Sequence, residues 1–325
     1  MHPIGLTRRA WLGLGLGLSL PAARAQSWPD RPIQLLAPAG PGSVPDVRAR
    51  WLAARLGLTL GQPVVVENRA GAGGKRAMEA AARQPPDGHT WVIVHAGHLV
   101  LNPLLYARLG YDPQDFRLVT RVGAGPLLLL VSPGSRFKSV AALLSAGADA
   151  PGKLSHASQG VGTPPHLAAE LFMQLTGLRS LHVPYANPAQ PIADLVGGRV
   201  DWMLEGTPAA LPMARAGKVR ALAVMAPTRL AQPAEVPSIA EAGWPDAGVE
   251  AWTGLALRRD TPAPVFERTA SEVRRVLTDD EAVRWFGEVG NVPGAESPQD
   301  SATLLEVERR RWVRVVDAAG LRAIR

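Results

Sequence analysis

Ile33-Gln-Leu-Leu-Ala-Pro38 is followed by Ala39-Gly-Pro-Gly-Ser-Val-Pro-Asp46 and then by Val47-Arg-Ala-Arg-Trp-Leu-Ala-Ala-Arg-Leu56. The first piece is a short apolar run closed by a proline, which reads as a buried strand. The second is a glycine-proline loop whose bare backbone can approach something small. The third places Val47, Trp51, Ala54 and Leu58 at helical spacing with arginines between them, so this set is expected to face the core. Ser43 and Asp46 stand three apart at the start of that helix, the pattern of a capping box. Strand, bare loop and capped helix together make a cradle for an anion, because free N–H groups and the helix dipole both favour negative charge there. A well-made turn in an α/β domain would show the same residues, so a second such loop is needed to weight the reading toward binding.

The second loop is Ser158-Gln-Gly-Val-Gly-Thr-Pro-Pro-His166, between a strand at Leu154–Ala157 and a helix at Leu167–Leu175. Thr163 suits an N-cap and Pro164 the first helical position. Between and after the two loops, strand-like and helix-like runs alternate: strands at Gln62–Arg69, Thr90–Val94, Pro126–Ser132, His182–Tyr185, Val200–Leu204 and Arg220–Met225, with helices among them and after Pro262. In the tail, Val265, Thr269, Val273 and Leu277 share one helix face, as do Leu305, Trp312, Val316 and Ala319. The alternation argues for parallel, doubly wound sheets whose ligands sit at loops beyond the strands' carboxyl ends. About 300 residues make two lobes rather than one.

The N-terminus has a different character. Residues 1–25 contain no acid, carry Arg8, Arg9 and Arg24, hold a glycine-rich apolar run from Trp11 to Leu20, and end in Ala23-Arg-Ala25. That is the form of a secretory signal peptide, and Thr7-Arg-Arg-Ala-Trp-Leu12 resembles a twin-arginine export signal. Export to the periplasm is the expectation. Removing the segment takes three arginines from 35 basic residues, so 32 face 28 acidic ones and the net charge falls from +7 to +4. A mild positive balance without a basic stripe suits a small anionic ligand and not nucleic acid. With no cysteine, disulfides and thiolate metal sites are excluded.

Further along the chain stand Trp28-Pro-Asp-Arg-Pro-Ile33, Gly61-Gln-Pro-Val-Val-Val-Glu-Asn-Arg-Ala-Gly-Ala-Gly-Gly74, Pro86-Asp-Gly-His-Thr90 and Asn102-Pro-Leu-Leu-Tyr106. After them come Pro151-Gly-Lys-Leu154, His166-Leu-Ala-Ala-Glu-Leu-Phe172, His182-Val-Pro-Tyr185, Gly217-Lys-Val-Arg-Ala-Leu-Ala-Val224 and Val236-Pro-Ser-Ile-Ala-Glu-Ala-Gly243. With these pieces the chain resembles the Bug family, the periplasmic solute receptors of tripartite tricarboxylate transporters, over essentially all of its mature length. The resemblance implies an α/β, two-lobed periplasmic-binding-protein (Venus-flytrap) fold: residues 26–124 and 251–325 in one lobe, 125–250 in the other. It implies a small organic carboxylate as ligand and membrane permease subunits as partners; no cofactor, no metal, no enzymatic activity and a monomeric protein are expected beside it. A receptor feeding a membrane sensor would carry the same pocket.

Carried over residue by residue, the resemblance puts the ligand loops on Ala39, Gly40, Gly42, Ser43 and Asp46, and on Ser158, Gly160, Gly162, Thr163 and His166, with backbone N–H groups gripping the carboxylate. Ser43 and Thr163 read equally as caps, and Asp46 as a capping acid. The family pattern has an aromatic at Ala39, glycines where Pro41, Ser43 and Val44 stand, and small polar residues at Pro164 and Pro165, so these loops are stiffer and poorer in donors. His95 is a candidate pocket donor, and His95-Ala-Gly-His98 lacks the further ligands a metal site needs. Tyr185 lines a pocket or fills core. Glu205 is either a solvated loop acid or an acceptor for a ligand ammonium, hydroxyl or amide. These departures speak against citrate-like ligands. Enzyme motifs are missing: Gly71-Ala-Gly-Gly-Lys75 imitates a phosphate loop without its spacing, and no serine elbow or His-Glu-x-x-His occurs.

Overall fold

The computed structural model describes residues 28–185, 187 and 189–318; the expected signal peptide, and Ala319, lie outside them. Ten strands follow in chain order: β1 Ile33–Ala37, β2 Val64–Asn68, β3 Thr90–Val94, β4 Phe116–Val131, β5 Leu154–Ser158, β6 Ser180–Pro184, β7 Trp202–Gly206, β8 Arg220–Val224, β9 Glu250–Arg258 and β10 Val292–Pro293. The helices are α1 Val44–Leu60, α2 Lys75–Ala82, α3 Asn102–Leu105, α4 Val140–Asp149, α5 Pro164–Thr176, α6 Gln190–Val196, α7 Thr207–Arg215, α8 Ala263–Leu277, α9 Asp280–Glu288 and α10 Pro298–Ala318.

Strand β4 is the spine. Its first part pairs antiparallel with β9, from Phe116 opposite Arg258 to Pro126 opposite Glu250. Its last five residues pair antiparallel with β7 on one side and β8 on the other. The strand order β2-β1-β3-β9-β4-β7-β5-β6 therefore runs through one strand shared by two groups. Within each group the outer strands are parallel, β2-β1-β3 and β6-β5-β7. The apolar run at Pro126–Ser132 marks only the end of β4. Thr120, Val122 and Leu127 through Val131 are buried along its length, so one strand of 16 residues serves both groups. The sheets are mixed rather than purely parallel, because β4 and β9 return against their neighbours. Strand β9 and helix α7 were not visible as elements in the sequence pattern.

Helix α1 corrects the expected face. Val47 and Leu58 are exposed, Leu58 by 84 %, while Ala49, Leu52, Ala53, Leu56 and Leu60 pack on β1 and β3, with Trp51 against Trp285 and Phe286. Of the expected set only Trp51 is buried, and Arg48, one of the arginines between those positions, is inside. Leu52→Ala is thus expected to destabilise the protein by about 2–5 kcal/mol, whereas Leu58→Ala should stay within about 0.5 kcal/mol. Denaturant melts of both variants check this; equal effects would return the helix to the face read from the sequence. In α8 the expected face holds, since Thr269, Val273 and Leu277 are all buried.

Candidate functional site

The two glycine loops are built alike. Ser43 caps α1 and its hydroxyl donates to Gly40 O at 2.7 Å; Thr163 precedes α5 and its hydroxyl donates to Gly160 O, also at 2.7 Å. The Gly42 N–H donates to Asp46 Oδ2 at 2.9 Å, and the Gly162 N–H to His166 Nδ1 at 3.2 Å. Gly42, Gly160 and Gly162 all hold positive φ (80°, 115° and 81°), which explains why each is glycine. Both helices then open on proline, Pro45 in α1 and Pro164-Pro165 in α5.

Both loops face one cavity of about 390 Å³, at the small end of ordinary ligand sites. Ala39, Gly40, Gly160, Thr163, His95, Tyr185 and Glu205 line it. Gly42, Ser43, Asp46, Ser158, Gly162 and His166 stand behind that wall and shape it. Asp46 is 2 % exposed and is held by Asn68 at 2.8 Å and Arg50 at 3.0 Å; these bonds, against its burial, hold its carboxyl below the usual range. The N–H groups of Gly42, Ser43, Gly160, Gly162 and Thr163 are all engaged inside their loops, while Val44 and Val161, on the wall, keep theirs outside these bonds.

The tip of the second loop also meets the other strand group. A Cβ at Gly73 would drive into the Val161 carbonyl, and one at Gly97 would sit 2.5 Å from the Gly162 carbonyl. Residues Ala70–Gly74 accordingly form cavity wall, whereas Lys75 turns away to Arg108 O at 2.8 Å.

His95 and His98 stack with ring centroids 3.7 Å apart. Burial pulls His98 down to about 4, and burial with His98 beside it holds His95 well below the usual imidazole range, so both are neutral. The Gly97 N–H donates to His95 Nδ1 at 3.0 Å, which leaves the ring proton on Nε2; the same logic makes His98 Nε2 a donor to Gly73 O at 3.1 Å. Among the described residues no group of three His, Asp or Glu side chains is placed to hold a metal ion. Tyr185 lends the cavity its ring, because its hydroxyl donates to Asp194 at 2.8 Å.

Under the second loop lies a stack that the sequence did not announce. His156 lies between Trp202 and His182 at centroid distances of 4.7 and 5.0 Å, and His182 meets His166 at 4.3 Å. Burial, then mutual repulsion, holds His156 and His166 near 3, and burial holds His182 near 4. His182 Nε2 and Ser158 Oγ are 2.7 Å apart, so the stack supports the loop from below.

Arg48 is the largest omission of the sequence reading. It lines the cavity at 3 % exposure and donates to Gly123 O at 2.8 Å, Thr253 Oγ1 at 3.0 Å and Asn291 Oδ1 at 2.7 Å. No carboxylate among the described residues lies within ion-pair distance of it, and burial pulls its guanidinium down to about 9. Gln159, Tyr106, Trp252 and Asn291 complete the polar and aromatic wall.

Two strand groups sharing a spine, with a mostly apolar cleft carrying a few polar side chains between paired glycine loops, define a two-lobed solute-binding protein of the periplasmic type. Residues 48–321 match the model of the tripartite tricarboxylate transporter family receptor. Protein BugT of Bordetella pertussis is 33 % identical over 94 % of this chain and 94 % of its own. The R. palustris Rpa4515 structure with adipate superposes with a TM-score of 0.88 at 35 % identity, covering 91 % of this chain and all (100 %) of that one. MatC from Rhodopseudomonas palustris, with bound malate, gives 0.84 at 31 % identity over 89 % and 100 %. The chain belongs to the tripartite tricarboxylate transporter receptor family, of the Bug type, and is a solute-binding receptor rather than an enzyme.

Proposed function

We propose that the exported, monomeric protein captures a small organic carboxylate between two lobes, 26–124 with 251–325 and 125–250, and delivers it to the permease subunits of a tripartite tricarboxylate-type transporter. One observation carries the reading: two loops with the same internal hydrogen bonds face one small cavity from different strand groups. Their helix N-termini bring partial positive charge to the cavity, and Arg48 adds a full one. The adipate and malate held by the two structural relatives support the same ligand class.

The expected result of a thermal-shift panel of mono-, di- and tricarboxylates is stabilisation by one chemical class. A ligand at about 100 times its Kd adds roughly 2.7 kcal/mol. Gly160→Val puts a β-branched residue at φ 115°, where none is comfortable, and is expected to reduce binding at least tenfold while the melt stays cooperative. Unchanged binding by that variant would remove the second loop from the site. Delivery is checked by uptake into vesicles holding the permease pair, with and without the receptor.

A further inference from the structure

Glu205 is the one acidic side chain in the cavity wall among the described residues. It closes β7 and is 1 % exposed. Each of its oxygens already accepts a fixed donor: Oε1 from the Gly206 N–H and Oε2 from Gln159 Nε2, both at 2.8 Å. Those two bonds fix the carboxyl plane and tie it to the second loop. The first loop adjoins the next residue, since a Cβ at Gly206 would meet Val44 Cγ2 at 3.3 Å. Glu205 therefore stands where the two loops meet, beside the place a captured carboxylate would occupy.

We propose that Glu205 acts on the ligand as a neutral acid, its hydroxyl donating to the bound carboxylate, so that the receptor takes up one anion together with one proton from solvent. This rests on the reading of the cleft as a carboxylate site. An ionised Glu205 would repel the anion across a water-poor gap, whereas the neutral acid makes a short charge-assisted bond to it. Its surroundings are uncharged on every side: Leu127 and Leu128 on β4, Gln159 after β5, Val44 opening α1 and Thr207 opening α7. Burial dominates its ionisation and pushes it up to about 7 against the two donors, and no charged neighbour acts on it. Of the other titratable wall groups, Arg48 and Tyr185 are turned to their own partners, His95 is neutral, and burial raises Tyr106 so that it stays a neutral phenol. An ammonium is the poorer guest here, because both helix N-termini repel it.

The test uses three six-carbon probes, hexanoate, adipate and 6-aminohexanoate, titrated calorimetrically near pH 6 and near pH 8.5 in buffers of different ionisation heat. Carboxylate binding is expected to take up close to one proton at the higher pH and almost none at the lower, with affinity falling about thirtyfold between them. In Glu205→Gln the affinity should become independent of pH and exceed that of the native protein near pH 8.5. Binding by the native protein without proton uptake at the higher pH overturns the proposal and leaves the carboxylate reading intact. So does tightest binding of 6-aminohexanoate with affinity rising with pH, which would make Glu205 an anion. Should the variant fail to fold, the native proton count alone decides. No binding by any probe at either pH takes down both readings.

Discussion

Acidification is expected to unfold the protein in one steep transition between about pH 5.5 and pH 4, driven by its buried histidines. His95, His98, His156 and His166 are each at most 5 % exposed. In the folded state His98 sits near 4 and His156 and His166 near 3, with His95 well below normal. In the unfolded chain each titrates near 6.5. The unfolded state therefore binds more protons below that value, so stability is complete above about pH 6.5 and is lost as pH falls toward the folded values. Four such groups give a slope of roughly 5 kcal/mol per pH unit. A net stability of about 5–15 kcal/mol is then exhausted within a few units. His182 acts in the same direction, while Glu170 and Glu205, raised by burial, oppose it; Glu205, pushed up to about 7, offsets about one such histidine, much as His182 adds one. Circular dichroism against pH measures the slope, and His156→Phe, which keeps a ring on Trp202, should make it shallower by about a quarter. A native signal persisting at pH 4 would show that these rings reach water. The window lies below the one in which Glu205 is tested, so the two effects separate.

Much of the site could be read from local chemistry. Gly42, Ser43, Gly160, Gly162 and Thr163 announce themselves because positive φ, capping and helix-opening prolines are properties of a few adjacent residues. The face of α8 was legible because its apolar positions form one unbroken stripe. In α1 two apolar stripes compete, and nothing local distinguishes the arginine at position 48 from those at 50 and 55. Only the packing of α1 over β4, with acceptors from Gly123, Thr253 and Asn291 far away in the chain, shows that this charge is inside. Strand β9 was missed for a related reason. Glu250 and Arg258 bound it with charge, and its pairing with both β3 and β4 is a tertiary fact. The role of Glu205 likewise depends on Gln159 and Gly206 closing over it, which neither residue type predicts.

Arg48→Met is expected to leave stability within about 2 kcal/mol of the native protein and to weaken carboxylate binding by about fiftyfold. The stability side is a near cancellation. Three hydrogen bonds from a charged donor, at about 2 kcal/mol each, contribute roughly 6 kcal/mol and are lost. Against this, burial without a counter-ion holds the guanidinium near 9, a penalty on the charged form of roughly 5 kcal/mol that the substitution removes. Methionine fills the volume of the aliphatic stem beside Phe286. Affinity has no such compensation. An anion about 7 Å from the charge, at an effective dielectric of about 20, loses roughly 2.4 kcal/mol of attraction. The loops make up little of it, because Pro45, Pro164 and Pro165 supply no N–H and five loop amides are already engaged. Arg48→Lys, which keeps the charge but not the fork, should recover part of the affinity. Calorimetry with the best carboxylate of the panel, beside denaturant melts, reads both quantities. Full affinity in the methionine variant would reduce Arg48 to a bolt between α1, β4 and β9; lost affinity at unchanged stability makes it the charge that the ligand neutralises.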